Sequence, residues 1–338
     1  MLKVFLTHSP EDREAYYARA LPELRGVAEV VLNPLDRDLE TSELIEAADG
    51  CQVIIAHRST PGEAALFAGS PDLVAFLRCA VDISTIDVEA ASATGVLVGR
   101  ADKSFVASTA ELALALMLDL ARNVTESTID FRAGGQPPQR AGVQLRGRVA
   151  GIIGYGAIGS YLAAILRDLG LRVLVTDPLV DATADGFEQC DLLELLARSE
   201  FVLPLAPASP STVDMIDAEA LRAMRPGAML VNVSRGELLD EGAVAAALDA
   251  GRLGGLAMDV GRSSDQRPSP ELARRPGVIA TPHLGGLTPE NADAQAMSSV
   301  EQVAAMASGA IPPRTVNAEH ADRLRSWWAS RTQTEETP

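Results

Sequence analysis

Residues 148–170 read RVAGIIGYGAIGSYLAAILRDLG, and this stretch decides the fold. The apolar run VAGII has the composition of a strand buried on both faces. It leads into glycines at 154, 156 and 159, the pattern G-x-G-x-x-G. SYLAAILRDLG continues as an amphipathic helix. Glycine triplets occur by chance, but strand, glycines and helix in that order form a dinucleotide-binding turn. Gly154 permits the tight turn, Gly156 lets a pyrophosphate reach the backbone, and Gly159 lets the helix pack closely on the strand. The phosphates would rest on the helix N-terminus, where free N–H groups and the dipole favour an anion. The next strand, LRVLVTD, ends on Asp177, 18 residues beyond Gly159. A carboxylate there suits ribose hydroxyls and repels a 2′-phosphate, which favours NAD over NADP.

Outward from this turn the chain alternates. KVFLTH, EVVLN, QVIIAH, LVAFLR and VLVGR read as strands before it, and EDREAYYARALPEL, TSELIEAA and DVEAASAT as helices between them. FVLPLA, AMLVNVS, GGLAMDV and GVIATPH continue the strands after it. That alternation predicts an α/β fold with parallel sheets covered on both faces. TAELALALMLDLARNV is the longest apolar helix pattern and is expected to cross between domains; AGGQPPQRAG then breaks the regularity. LTPENADAQAMSSVEQVAAMASG is a helix with a Thr-Pro-Glu start. Residues 318–338 read as a polar, frayed C-terminal tail.

Bulk composition narrows the function. The 338 residues suffice for two domains. A net charge of −17 argues against nucleic acid and anionic membranes as partners. No apolar run reaches the roughly 18–20 residues of a membrane helix. Cys51, Cys79 and Cys190 are scattered, without a CxxC, and read as reduced thiols of a cytoplasmic protein. No metal site is expected.

With VNVSRGELLDEGAVAAALDAGRLGGLAMDV, ATPHLGGLTPE, GIIGYGAIG, VTDP and TAELALALMLDLAR in this order, the chain resembles the D-isomer-specific 2-hydroxyacid dehydrogenases over nearly its whole length. The resemblance implies two Rossmann/flavodoxin-like domains with the active site in the cleft between them. Residues 1–99 plus 288–317 would form the substrate domain, and 100–287 the NAD-binding domain. It also implies a homodimer. The expected activity interconverts a 2-keto acid and a D-2-hydroxy acid by hydride transfer to or from NAD, without a metal.

Arg235 matches the family arginine that binds the substrate carboxylate and carbonyl; its rigid fork suits that role. His283 matches the acid–base histidine, since imidazole can both give and take a proton near neutrality. Asp259 matches the position beside the nicotinamide carboxamide, and a strand-end cap is its structural alternative. Arg58 and Ser59 match a substrate-facing pair, with Ala80, Val81 and Arg100 beside them. The resemblance extends the cofactor set from Gly154, Gly156, Gly159 and Asp177 to Tyr155, Ala157, Ile158, Ala206, Pro207, Thr212, Val233 and Gly285. His8, His57 and His320 carry no assigned role.

Three departures from the family pattern stand out. In DVGRSSDQRPSP (259–270), Ser264 falls where the family has the glutamate that pairs with its histidine. Either the neighbouring Asp265 turns in as the partner of His283, or the histidine works without one; Arg262 in the same loop would lower a nearby imidazole's pKa. In RCAVDISTID (78–87), Ala80, Val81 and Asp82 replace glycines that cradle the substrate carboxylate. Arg100 stands where relatives carry Asn; it either grips a second anionic group or is a solvated hinge residue. Loss of the glutamate leaves two alternatives to the dehydrogenase: an NAD(H)-responsive binding or regulatory protein on the same fold, or altered chemistry.

Overall fold

The computed structural model describes residues 1–263 and 265–335. The chain divides into two compact units, Met1–Ser104 with Pro289–Pro338, and Phe105–Thr288.

In the first unit, β1 (Leu2–Leu6), β2 (Ala28–Leu32), β3 (Val53–Ala56), β4 (Ala75–Arg78) and β5 (Leu97–Arg100) form one sheet in the order β2-β1-β3-β4-β5. Every pairing is parallel. VIIA and AFLR are buried at all four positions, as strands covered by helices on both faces must be. One apolar cluster lies on each face, one around Leu6, Val53 and Leu77, the other around Phe5, Ile54 and Phe76.

Two readings change here. EDREAYYARALPEL is not one helix but two, Pro10–Tyr16 and Ala20–Val27. Pro22 is the reason: it lacks an N–H and its ring clashes with the carbonyl four residues back, so it is tolerated only in a fresh first turn. Nor are residues 318–335 a frayed tail; 336–338 lie outside the described residues. Asp322–Glu335 is a helix, and Ala321 and Leu324 are fully buried in the first unit's core. Leu324, Trp327 and Trp328 share one stripe by their i, i+3, i+4 spacing, packed on that core, and Trp328 Nε1 donates to Met306 O at 2.9 Å. The polar composition around these residues hid the stripe.

The second unit is a seven-stranded parallel sheet. Its strands are β6 (Val149–Ile153), β7 (Arg172–Thr176), β8 (Glu188–Gln189), β9 (Phe201–Pro204), β10 (Ala228–Asn232), β11 (Leu253–Met258) and β12 (Val278–Ala280), ordered β12-β11-β10-β9-β6-β7-β8. The order reverses between β6 and β9, the switch point beside which open α/β sheets bind ligands at their carboxyl ends. The helix Val106–Arg122 lays Ala110, Ala113, Met117, Leu120 and Ala121 on the sheet and stops at Asn123, whose φ is 53°. Among the described residues, no helix is long and apolar enough to cross a membrane.

Candidate functional site

The glycine turn follows β6. Gly154 has φ +101°, and a Cβ on it would stand 2.7 Å from Ala206 N, across the switch point. A Cβ on Gly159 would stand 2.1 Å from Gly154 O, so only glycine lets the helix Ala157–Asp168 start this close to the strand. A Cβ on Gly156, by contrast, would meet nothing within 4 Å. Gly156 and Ala157 are exposed, and no side chain caps the helix start. An open, uncapped helix N-terminus over a glycine turn fits a pyrophosphate. Tyr155 and Ile158 point the other way: Tyr155 is 5% exposed, donates to Asp185 at 2.8 Å and meets Phe187 edge-on, while Ile158 packs on the sheet.

Asp177, at the end of β7, ties the turn to its neighbour. Its Oδ2 accepts from Tyr155 N at 2.7 Å, and its Oδ1 from Leu179 N and Val180 N at 2.8 and 3.0 Å. Burial works against its charge, but the three N–H donors outweigh it and hold the carboxyl below its ordinary pKa. It is half-buried beside the turn, where a ribose acceptor belongs. Across the switch point Ala206 O accepts from Ser234 Oγ at 2.8 Å, next to the buried Val233. Thr212 Oγ1 donates to Pro207 O at 2.7 Å and accepts from Ser209 N at 2.8 Å, stapling the loop after β9.

Arg235, Asp259 and His283 follow β10, β11 and β12, three adjacent parallel strands, so they occupy one edge of the sheet. Arg235 is half-buried, with Nη1 donating to Ser234 O at 2.8 Å. Its backbone is set by Asn232, a fully buried residue that the motif reading missed: Nδ2 donates to Arg235 O at 2.8 Å and Oδ1 accepts from Ser234 N at 3.1 Å. The available signal was an Asn at a strand end, where short amides bond the turn two or three residues on.

Asp259 is fully buried, and its carboxylate builds the turn that carries His283. Oδ1 accepts from Thr281 Oγ1 at 2.6 Å and Leu284 N at 2.7 Å, and Oδ2 from Gly285 N at 2.8 Å. His283 N donates to Asp259 O at 2.9 Å and to Thr281 O at 3.0 Å. His283 has φ +62°, a left-handed conformation unusual for histidine. The two donors from the residues after it, and the Thr281 hydroxyl, hold that conformation. Gly285 is buried where a Cβ would stand 3.2 Å from Asp259 Oδ2.

The loop after β11 is pressed on the arginine segment. A Cβ on Gly236 would come within 2.1 Å of Gly261 C. Arg262 does not serve an imidazole: it pairs with Asp214 and donates to Leu239 O at 2.7 Å and Glu237 O at 3.1 Å. Ser264 lies outside the described residues. Asp265 is exposed and turned into its own loop, accepting from Ser263 Oγ at 2.6 Å and Arg267 N at 3.1 Å, with Arg267 Nε at 3.5 Å. Those bonds, Ser263 first, hold its carboxyl below the ordinary range. The structure therefore spends Asp265 on its own loop, because a two-residue turn to Arg267 costs less ordering than a reach across the sheet edge.

In the first unit, Arg58 and Ser59 are exposed on the loop after β3, and Ser59 Oγ bonds His57 Nδ1 at 2.6 Å. Ala80 and Val81 are half-buried after β4. Asp82 is exposed, with Oδ1 accepting from Ser84 N at 2.9 Å, so this carboxylate caps its own turn. Arg100 ends β5, its backbone fixed by Arg314 O at 3.3 Å and Gln302 Nε2 at 3.0 Å. Asp12, Asp38 and His57 bring ligand-type atoms within 4.8 Å of one another, a grouping that the sequence did not suggest.

A glycine turn, an uncapped helix start, an acid on the next strand and Arg and His on neighbouring strand ends define an α/β protein with a dinucleotide-type turn. The comparisons agree and are narrower. Residues 114–285 match the D-isomer specific 2-hydroxyacid dehydrogenase, NAD binding domain. D-3-phosphoglycerate dehydrogenase of Mycobacterium leprae is 34% identical over 286 residues, 83% of this chain and 54% of that one. Glyoxylate reductase of Korarchaeum cryptofilum is 30% identical over 319 residues, 90% of this chain and 96% of that one. The solved pyruvate reductase of Chlamydomonas reinhardtii superposes with a TM-score of 0.78 at 25% identity, covering 93% of this chain and 98% of that one. The chain belongs to the D-isomer specific 2-hydroxyacid dehydrogenase family, and its second unit is that family's NAD-binding domain. It spans about half the length of the phosphoglycerate dehydrogenases it matches.

Proposed function

We propose that this protein is an NAD-dependent dehydrogenase interconverting a 2-keto acid and a D-2-hydroxy acid. The observation that carries the reading is the alignment of Arg235, Asp259 and His283 on adjacent strand ends of the same sheet edge as the glycine turn. Gly154, Gly156, Gly159 and Asp177 would hold NAD, which supplies or accepts the hydride when bound. Arg235 would bind the carboxylate and polarise the carbonyl through its rigid fork of donors. His283 would pass the proton to or from the substrate oxygen, held by the turn that Asp259 braces. On the first unit the same reading gives Arg58, Ser59, Ala80, Val81 and Arg100 to the substrate. Arg100 would then favour substrates with a second anionic group.

The test follows NADH absorbance with a panel of mono- and dianionic 2-keto acids. Turnover is expected with at least one, and His283→Gln should lower kcat by about 10²-fold or more while NADH still binds. NADH binding with no turnover of any candidate would sink the reading.

A homodimer is part of the proposal. The helix Val124–Arg132 has no buried residue, yet Val124, Ile129 and Phe131 on it are 55%, 54% and 66% exposed. Apolar groups crowded on one short helix are a surface that a second copy would cover. A cytoplasmic setting is supported by Cys51, Cys79 and Cys190 standing as free thiols.

A further inference from the structure

Arg78, the last residue of β4, is 1% exposed and the bulkiest of the fully buried side chains. A guanidinium has four terminal N–H groups, and here all four positions are occupied. Nη1 donates to His57 O at 2.5 Å and Arg58 O at 2.6 Å; Nη2 donates to Thr60 O at 2.7 Å and Thr85 Oγ1 at 2.9 Å. Three of those acceptors are carbonyls of one loop, the loop after β3 that presents Arg58 and Ser59. Burial lowers the Arg78 pKa to about 10, which leaves it charged at neutral pH. Among the described residues Nε is buried without a partner, so the group is held for its ends and not for its stem.

A buried charge of this kind is costly to desolvate, and a neutral side chain could fill the same volume. What a neutral residue could not do is gather three backbone carbonyls onto one point. Turning those carbonyls inward fixes the loop backbone and with it the root of the exposed Arg58 side chain. Thr7 braces the loop from the other side, its Oγ1 accepting from His57 N at 2.9 Å and bonding Thr60 Oγ1 at 2.8 Å.

We propose that Arg78 is a positioning residue: it clamps residues 57–60 so that Arg58 is presented to the substrate, and it binds no substrate group through its own fork. This rests on the substrate role given to Arg58 above. It also assigns anion recognition on this unit to Arg58 rather than to the more deeply set arginine.

Hydrogen–deuterium exchange tests the clamp without any substrate. In Arg78→Lys and Arg78→Met, amides of the peptide covering residues 57–62 should exchange about ten-fold faster or more, with residues 151–160 unchanged. Thr85→Val, which removes a single bond, should give a smaller rise at the same peptide and keeps the test available if Arg78→Met does not fold. In steady-state kinetics, Arg78→Lys should raise KM for the 2-keto acid by about ten-fold, leave KM for NADH within about two-fold, and lower kcat less than kcat/KM. Unchanged exchange at 57–62 in Arg78→Lys, or a parallel rise in both KM values, overturns the proposal. If the unmodified protein turns over no 2-keto acid, the dehydrogenase reading fails, and the exchange result still decides whether Arg78 holds the loop.

Discussion

At the residue scale, one carboxylate does more than its motif suggests and another does less. Asp259 accepts three donors around His283, so it shapes the histidine turn itself. Asp265, the only acid of its loop, is tied to Ser263 and Arg267. Asp265→Asn should therefore leave the pH profile of kcat/KM nearly unmoved; a displaced acid–base limb would make Asp265 the partner of His283. His8 makes a pH prediction of its own. Burial first, then the nearby His57 and Arg13, lower its imidazole from 6.5 to about 3. The unfolded chain takes up this proton near its ordinary pKa and the folded chain only near 3. Stability is thus fully present above about pH 6.5 and is lost as pH falls toward 3. His8→Leu should flatten that part of the slope of denaturation midpoint against pH. Trp327 and Trp328 are the chain's two tryptophans and both lie in the first unit, so their fluorescence follows it.

At the scale of elements, the three glycines of the nucleotide turn separate by what surrounds them. Gly159 faces backbone at 2.1 Å and Gly156 faces open space. Gly159→Ala should destabilise the second unit by about 1–3 kcal/mol, read as a lower Tm, because the helix must back away from the strand. Gly156→Ala should leave Tm unchanged while weakening NADH by roughly ten-fold, about 1.4 kcal/mol, read by fluorescence titration. If Gly156→Ala loses stability and keeps affinity, the cradle has been misplaced. The contact of Gly236 with Gly261 belongs to the same scale: the arginine segment and the loop after β11 touch backbone to backbone, and a Cβ on Gly236 would forbid it.

At the scale of the whole molecule, each unit carries its own parallel sheet with a core on either face, and the C-terminal helix completes the first unit's core. The exposed Val124, Ile129 and Phe131 on the otherwise polar helix Val124–Arg132 are apolar groups that one copy leaves uncovered. Phe131→Glu should shift the protein from dimer to monomer in light scattering at micromolar concentration, with the far-UV spectrum unchanged. A wild-type monomer would remove the dimer from the reading.

The sequence by itself determined the fold class, the glycine turn, Asp177 and the strand-end placement of Arg235 and His283. Those features are local: each depends on a few neighbouring residues, on periodicity of 2 or 3.6, and on a turn that only glycine can make. Tertiary structure decided what depends on which surfaces meet. It drew Arg262 to Asp214, set three donors on Asp259, buried Arg78 beneath the Arg58 loop and folded the polar-looking tail onto the first core. None of these follows from spacing, because a contact between separate elements is fixed by how those elements pack and not by the pattern of either segment.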